Sequence, residues 1–224
     1  MSVGYGGDFR YHDATSWKTA TSLQTAMGKP TRYDVWGTTL SGQEVYYLAG
    51  DQDSNNIGVM RCSGSSMATG TVTCTKMTGV VNNVRIDRVA GTLKSGAQGP
   101  LWAIPSSGNS DDIYYNAGSG NAWTRSGPHG CHDTGSTPCA NSSTDWRDIA
   151  ALSPTNVWIV GTNGWIMRYD GSKWGRINGA WTNQSSYTIT SVYGSAKEGL
   201  ITLAAYATTS TTNRQVRIFN YNIT

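Results

Sequence analysis

Short apolar runs rich in Val, Ile, Trp and Tyr recur along the chain, separated by polar turns that contain Gly, Asp, Asn or Ser. One arrangement occurs four times: a short apolar run, a polar turn, and a second run of β-branched and aromatic residues. Such side chains fit a half-buried pleated surface, so each run predicts a β-strand. The four copies cover residues 33–37 with 44–50, 86–91 with 101–105, 146–150 with 156–161, and 189–194 with 200–206.

A second arrangement predicts β-hairpins between these copies. Gly, Gly, Asp and Trp recur at identical spacing in two segments, which are Gly161, Gly164, Asp170 and Trp174 in one and Gly4, Gly7, Asp13 and Trp17 in the other. In each, a Gly-rich turn leads into a strand, a turn built on Asp follows, and Trp opens the next strand. Further strand pairs are predicted at residues 58–62 with 71–77 and 112–115 with 122–125.

The resulting order is four strands followed by a repeat of the same unit. Repeated four-stranded units are typical of β-propeller blades, and the small residues Gly37, Gly91 and Gly194 suit innermost strands that converge on an axis. A β-sandwich of similar strand count is the alternative, although sandwiches seldom repeat one spacing. We therefore expect an all-β chain in which residues 1–224 form a single propeller domain, either whole or as a fragment or distal domain of a larger protein.

The number of blades is left at four or five. The first unit supplies only two strands, and the last supplies three, ending with residues 215–221. If the first hairpin joins the strands at residues 189–194 and 200–206, four complete blades form and the last strand is left over. Otherwise five blades form, of which the first and last are incomplete.

The segment Asn156 to Trp174 resembles a bacterial propeller repeat that reads roughly VWxVGxxGxIxxYDGxxW. The similarity is close over residues 147–177 and partial over residues 4–18. It implies propeller blades in an extracytoplasmic protein of binding or assembly function. Because the motif residues build the fold, they specify no ligand.

Composition narrows the classes of function. Charged residues make up 14% of the chain, and the net charge of +3 is spread without a Lys/Arg run, which argues against a nucleic-acid partner. No apolar stretch is long enough to span a bilayer, so membrane insertion is not expected. Trp (9) and Tyr (12) far outnumber Phe (2). Aromatic rings with a polar tip suit binding surfaces as well as core edges.

The four cysteines form two close pairs, Cys62 with Cys74 and Cys131 with Cys139. Local pairing is the simplest of the three connectivities and predicts two disulfides, one between neighbouring strands and one across a long loop. Zinc is the alternative for the second pair, because two histidines and an aspartate share its segment, but no Cys-x-x-Cys knuckle is present. Disulfides form in oxidising compartments, so we expect a secreted or cell-surface protein.

Candidate catalytic and metal-binding groups are sparse. Asp111-Asp112 is the only adjacent carboxylate pair in the sequence, and nothing beside it would tune a pKa. No enzyme activity is expected, and a glycosidase is the least favoured function. Oxygen side chains at Asp51, Asp53 and Asn55 alternate as at the start of a calcium loop, but the Gly and Glu that complete an EF-hand are absent. Calcium is thus the one cofactor with partial support.

Aromatic residues are the stronger candidates for a ligand site. Sugar-binding proteins stack Trp and Tyr rings on the apolar face of the sugar, with polar side chains meeting the hydroxyls. Trp165 and Trp181 lie outside the repeated Trp position, whereas Tyr115 and Trp146 suit either a site or the packing between blades. Arg168 lies among them and supplies a polar contact. These five residues form the predicted ligand site.

Two functions follow from these patterns. The first is a non-catalytic surface recognition or adhesion module of lectin-like type, with a glycan or a surface protein as partner. The alternative is an extracytoplasmic scaffold that binds another protein, which predicts one apolar patch or groove instead of repeated small sites.

Overall fold

The computed structural model describes residues 2–3, 8–12, 15–27, 31–51, 58–79, 85–106, 113–126, 145–177, 187–208 and 214–223. These residues form five sheets that follow one another along the chain. Neighbouring strands within the sheets are antiparallel, apart from one parallel strand at the edge of the third sheet. Five successive sheets confirm the predicted repeat and exclude a two-sheet sandwich.

The first two sheets cover residues up to position 76. Sheet 1 contains β1 (Ser2–Val3), β2 (Phe9–His12) and β3 (Trp17–Thr19), and it is followed by helix α1 (Thr21–Met27). Sheet 2 contains β4 (Arg32–Leu40), β5 (Gln43–Gly50), β6 (Val59–Gly64) and β7 (Val72–Lys76).

The other three sheets follow in sequence. Sheet 3 contains β8 (Thr78–Gly79), β9 (Ile86–Lys94), β10 (Ala97–Pro105), β11 (Tyr114–Asn116) and β12 (Ala122–Arg125). Sheet 4 contains β13 (Trp146–Ser153), β14 (Asn156–Gly161), β15 (Ile166–Tyr169) and β16 (Trp174–Arg176), with a 3-10 turn at Thr162–Gly164. Sheet 5 contains β17 (Tyr187–Ser195), β18 (Leu200–Thr208) and β19 (Arg214–Asn222).

The hydrophobic core is divided into four clusters, one between each pair of consecutive sheets. Successive side chains of a strand point to opposite faces, so a sheet with neighbours on both sides buries both sets. This explains why residues 101–104 in β10 and 157–160 in β14 are buried without interruption. In sheets 3 and 4 the apolar runs at residues 101–105 and 156–161 therefore mark a strand that is covered on both faces.

The innermost strands are β4, β9, β13 and β17, and β9 approaches β4 closely at a small residue. A side-chain carbon at Gly91 would lie 2.7 Å from the ring of Trp36 in the preceding sheet. A side chain at this position would force Trp36 to move. The absence of one at Gly91 therefore lets sheets 2 and 3 converge.

The predicted disulfide between Cys62 and Cys74 is confirmed, and it joins directly opposite residues of β6 and β7. Across sheet 2, the register runs from Gly37 to Tyr46 and on to Cys62 and Cys74. In sheet 4 the equivalent outer pair is Tyr169 and Trp174. In sheet 2 the disulfide therefore occupies the position that the aromatic pair of Tyr169 and Trp174 occupies in sheet 4. The second predicted pair, Cys131 and Cys139, lies outside the described residues.

We expect the double variant Cys62→Ser, Cys74→Ser to lose about 2–3 kcal/mol of unfolding free energy. The bridge closes a loop of sequence separation 12, and this loop becomes free in the unfolded chain of the variant. Urea unfolding followed by Trp fluorescence measures the change. The oxidised wild type is the reference, and reduction of the wild type should lower its stability at least as much, because it also opens the predicted Cys131–Cys139 bridge. Equal stability of the reduced and oxidised wild type would contradict the expectation.

Two elements that the sequence did not predict fasten neighbouring sheets together. Helix α1 buries Leu23 and Met27 in the cluster between sheets 1 and 2. Strand β8, which directly follows sheet 2 in the chain, pairs in parallel with the outer strand β12 of sheet 3. Beside it, the indole N–H of Trp123 donates to the sulfur of Met77 at 3.2 Å. The outer edge of sheet 3 is thus completed by a segment that follows sheet 2.

Candidate functional site at the innermost strands

A β-bulge interrupts each of the four innermost strands at the same position. The pairing skips one residue between Arg32 and Asp34 in β4, and the same irregularity recurs in β9, β13 and β17. Bulges re-aim side chains and are frequent beside functional sites. The skipped residues are called the bulge row, which consists of Tyr33, Asp87, Arg147 and Thr190.

The residues that follow the bulges are linked from sheet to sheet. They are called the channel row, which consists of Asp34, Arg88, Asp148 and Ser191. The carboxylate of Asp34 accepts the backbone N–H of Val89 at 2.9 Å, which joins sheet 2 to sheet 3. The guanidinium of Arg88 lies 3.5 Å from the carboxylate of Asp148, which joins sheet 3 to sheet 4.

The link continues to sheet 5. Asp148 accepts the hydroxyl of Ser191 at 3.0 Å and the backbone N–H of Val192 at 2.9 Å. Because equivalent positions of successive strands contact one another, all four bulges lie at one level around the common axis. The bulge row is therefore a rim at one end of the innermost strands.

The rim carries paired opposite charges. Arg85 lies 2.9 Å from Asp87, and Arg147 lies 3.2 Å from Asp145. The guanidinium of Arg85 also covers the ring of Tyr33, 4.3 Å from its centroid. All four charged side chains are between about one third and one half exposed, so they remain available to a ligand.

Burial changes the ionisation of two groups below the rim. It raises the pKa of Asp34, although the N–H groups of Val89 and Val35 and the charge of Arg88 act in the opposite direction. Burial also lowers the pKa of Arg32 to about 10, against the attraction of Asp51. With a pKa of about 10, Arg32 stays protonated at neutral pH. The carboxylate of Asp34 is engaged by a backbone N–H of the next sheet.

The sequence matches no known protein-family profile and no curated protein. Comparison with solved structures finds YCF48 bound to a D1 peptide (TM-score 0.58, 14% identity, 99% of this chain and 59% of that one). It also finds YCF48 from Cyanidioschyzon merolae (TM-score 0.52, 12% identity, 92% of this chain and 59% of that one). The chain thus spans about three fifths of the length of these structures.

The five sheets and these likenesses establish the fold. The chain has a β-propeller fold. Its sheets are the blades, five in number over the described residues, of which the first and last have three strands each. The first hairpin does not join the last sheet. A GH43 β-1,3-galactosidase is a weaker match (TM-score 0.45, 9% identity, 84% of this chain and 70% of that one).

The propeller buries two of the four aromatic residues that were predicted to bind a ligand, Trp146 and Trp165. Trp165 and Trp146 lie in the cluster between blades 3 and 4. Arg176 covers the ring of Trp165 at 3.9 Å from its centroid. Tyr115 packs against Trp102, with ring centroids 5.7 Å apart. Trp165 and Tyr115 therefore each have a neighbour against the ring, and Trp146 is buried between the blades.

Arg168 is engaged within its own blade, and Trp181 lies outside the described residues. The Nε–H of Arg168 and the indole N–H of Trp158 both donate to the side-chain oxygen of Asn156, at 3.0 and 2.8 Å. The ligand-binding role of the five predicted residues stays a prediction, because the structure does not bring the described ones together into one open site.

The calcium hypothesis also stays a prediction. Asp51 accepts a hydrogen bond from the hydroxyl of Tyr33 at 2.9 Å, whereas Asp53 and Asn55 lie outside the described residues. Among the described residues, no group of three or more His, Cys, Asp or Glu side chains could hold a metal ion. Asp111-Asp112 lies outside this part of the chain. No helix in the described ranges has the length and hydropathy that a membrane crossing requires.

Sequence reasoning missed the bulge row. The sequence did carry one signal for it. In three of the four copies, the first apolar run contains a charged residue directly after the bulge position: Asp34, Arg88 and Asp148. A charged residue inside a strand that is otherwise apolar indicates a special position, because a buried charge must be paired. Spacing alone does not show that these residues follow a bulge.

Proposed function

We propose that this propeller is a non-catalytic recognition module that binds a segment of another protein at the rim formed by the bulge row. The observation that carries the proposal is the repetition of the bulge on four successive blades. It places Tyr33, Asp87, Arg147 and Thr190 at one level, with Arg85 and Asp145 beside them. Charged and hydroxyl groups spaced from blade to blade suit the alternating donors and acceptors of a peptide chain.

A peptide suits this rim better than a sugar does. Sugar recognition requires an aromatic ring with an open face, and Arg85 covers that of Tyr33. Trp165, covered by Arg176, and Trp146 are buried between blades. The polar groups of the rim, in contrast, are partly exposed and ready to exchange partners. Lectin-like binding is therefore the second candidate, which the surplus of Trp and Tyr in the sequence favours.

The carboxylates of the rim and of the channel row below it favour a role without catalysis. Asp34 and Asp148 accept backbone N–H groups from the next blade. Asp87 and Asp145 are paired with Arg85 and Arg147. General acid–base chemistry needs a carboxyl group that is free to exchange a proton with a substrate. The described channel-row carboxylates instead hold the blades together, and those at the rim hold their arginines in place.

Two further observations support an extracytoplasmic binding module. The Cys62–Cys74 disulfide is typical of proteins from oxidising compartments. One structure with the same fold is a YCF48 bound to a D1 peptide, so that propeller binds a peptide. The segment 156–174 also resembles a repeat of extracytoplasmic binding and assembly proteins. We propose a secreted or cell-surface location.

The test is selection of peptides from a random phage-displayed library on the immobilised protein, followed by affinity measurement. We expect the double variant Arg85→Ala, Arg147→Ala to bind the selected peptides about tenfold more weakly, because it loses two charge-assisted contacts. The matched control is Arg10→Ala, which removes an arginine with the same spacing to an aspartate, Asp8, in blade 1.

The outcomes separate the two candidates. A loss of affinity in the double variant but not in the control supports the proposal. Equal binding by all three proteins would show that the peptides bind elsewhere and would overturn it. A glycan array probed with the same proteins is the second arm. Glycan binding that the wild type shows without peptide binding would replace the proposal by the lectin-like function.

A further inference from the structure

The outer strand of blade 2 is fastened differently from the outer strands of blades 3 and 4. Blade 3 buries Trp123 of β12, and blade 4 buries Trp174 of β16, each in a cluster between blades. In β7 the register position of Trp174 is occupied by Cys74, which is bonded to Cys62 of β6. In blade 2, therefore, a covalent bond stands where blade 4 has a buried ring.

Few buried side chains hold β7 along its length. Its side chains at Thr73, Thr75 and Lys76 are exposed. Val72 and Cys74 are half-buried and pack against the cluster between blades 1 and 2. Within the part of the chain that the structure describes, β7 is the last strand of its sheet, so its backbone pairs on one side, with β6. An edge strand with little buried surface opens at a low free-energy cost unless it is tied down.

Both ends of the segment that contains β7 are anchored independently of the disulfide. Before β7, Met67 is buried, and its backbone N–H donates to the carboxylate of Glu44 at 2.6 Å. After β7, Met77 is buried, and its backbone N–H donates to the carbonyl of Val59 at 3.0 Å. A movement of β7 is therefore confined to residues 68–76 between these two anchors.

We propose that the Cys62–Cys74 bond is a redox switch for the pairing of β7 with β6. A dithiol that reduces the bond releases β7 between its two anchors, while the other blades keep their fold. The reduced form then presents an open edge of β6 that the oxidised form covers. This inference goes beyond the proposed function and does not depend on it, since β7 contributes no residue to the rim.

The exposure of the two cysteines sets the course of the reduction. Cys62 is fully buried and Cys74 is half-buried, so the reagent reaches the sulfur of Cys74. A thiolate of the dithiol attacks this sulfur, the S–S bond breaks, and Cys62 leaves as a thiolate that takes up a proton. The second thiolate of the reagent then attacks the mixed disulfide and releases Cys74, which is protonated in turn. Two electrons and two protons thus pass to the protein, and the reagent becomes a cyclic disulfide.

The test is hydrogen–deuterium exchange of the full chain, read by mass spectrometry before and after reduction with dithiothreitol. It uses the double variant Cys131→Ser, Cys139→Ser, because this variant leaves Cys62–Cys74 as the bond that the reagent can reduce. We expect the amides of residues 72–76 to exchange at least about tenfold faster after reduction. The amides of residues 157–160 in β14 should keep their protection.

Alkylation of the reduced protein is the second readout. The sulfur of Cys62 is buried beneath helix α1 and the loop that carries Met67, so it reacts with iodoacetamide only when β7 has moved away. We expect both cysteines to be alkylated under native conditions once the bond is reduced. The matched control is Cys62→Ala, Cys74→Ala, which should exchange rapidly at residues 72–76 whether or not dithiothreitol is present.

Three results would overturn the proposal. A bond that stays oxidised in excess dithiothreitol under native conditions is not redox-sensitive. Unchanged exchange at residues 72–76 after the mass confirms two free thiols shows that hydrogen bonds alone hold β7. Faster exchange at residues 157–160 as well shows that the bond supports the whole propeller and not one strand.

Discussion

Replacing Trp174 by Ala is expected to lower the free energy of unfolding by about 3–5 kcal/mol. The ring is buried between blades 3 and 4, 5.3 Å from the ring of Tyr169, and its N–H donates to the carbonyl of Ser126 at 3.0 Å. Removal leaves a cavity at an interface between blades and a carbonyl without its donor. Urea unfolding followed by circular dichroism measures the loss.

Trp17→Ala is the matched control, because Trp17 occupies the same register position in blade 1 with more than half of its surface exposed. We expect a loss of less than about 1 kcal/mol. Similar losses in the two variants would contradict the assignment of Trp174 to an interface and of Trp17 to an open face.

The second large effect is expected at Asp148. Asp148→Ala removes the acceptor of the Ser191 hydroxyl and of the buried Val192 N–H, together with the partner of Arg88. Hydrogen bonds to a charged acceptor contribute about 1.5–3 kcal/mol each, so the unfolding free energy should fall by about 3–4 kcal/mol. The substitution therefore weakens the contact between blades 4 and 5 at the channel row.

Asp148→Asn distinguishes hydrogen bonding from charge at this position. The amide oxygen keeps an acceptor for Val192 but loses the attraction to Arg88, whose side chain is about one third exposed. A partly exposed ion pair contributes at most about 1 kcal/mol, so the Asn variant should retain most of the stability. An Asn variant as unstable as the Ala variant would show that the charge, and not the hydrogen bonds, links these blades.

The repeat was predictable because the residues that define it also build it. Trp174 and Asp170 mark a hairpin, since Asp170 accepts the N–H groups of Ser172 and Lys173 and so closes the turn. These N–H groups also lower the pKa of Asp170. The Cys62–Cys74 pairing was predictable from proximity in sequence. Both features are local, and local chemistry is visible in a sequence.

The rim was not predictable, because it depends on contacts between distant segments. The hydrogen bond from Val89 to Asp34 joins residues that are 55 positions apart. The arginines that cover Tyr33 and Trp165 are likewise set by the fold, so exposed rings could not be told from covered ones. Strand β8 is too short for any apolar pattern, and α1 has no charged residue in its terminal turns to signal a helix.

The parallel strand β8 couples the unfolding of blade 2 to that of blade 3. In an array of repeats, each unit can in principle separate from its neighbours one at a time, starting from an end. The backbone N–H of Thr78 donates to the carbonyl of Asn121 at 2.9 Å, so detaching blade 2 from blade 3 also strips an edge strand from blade 3. We therefore expect these two blades to unfold as one cooperative unit, with stepwise loss of structure beginning in the units on either side of it.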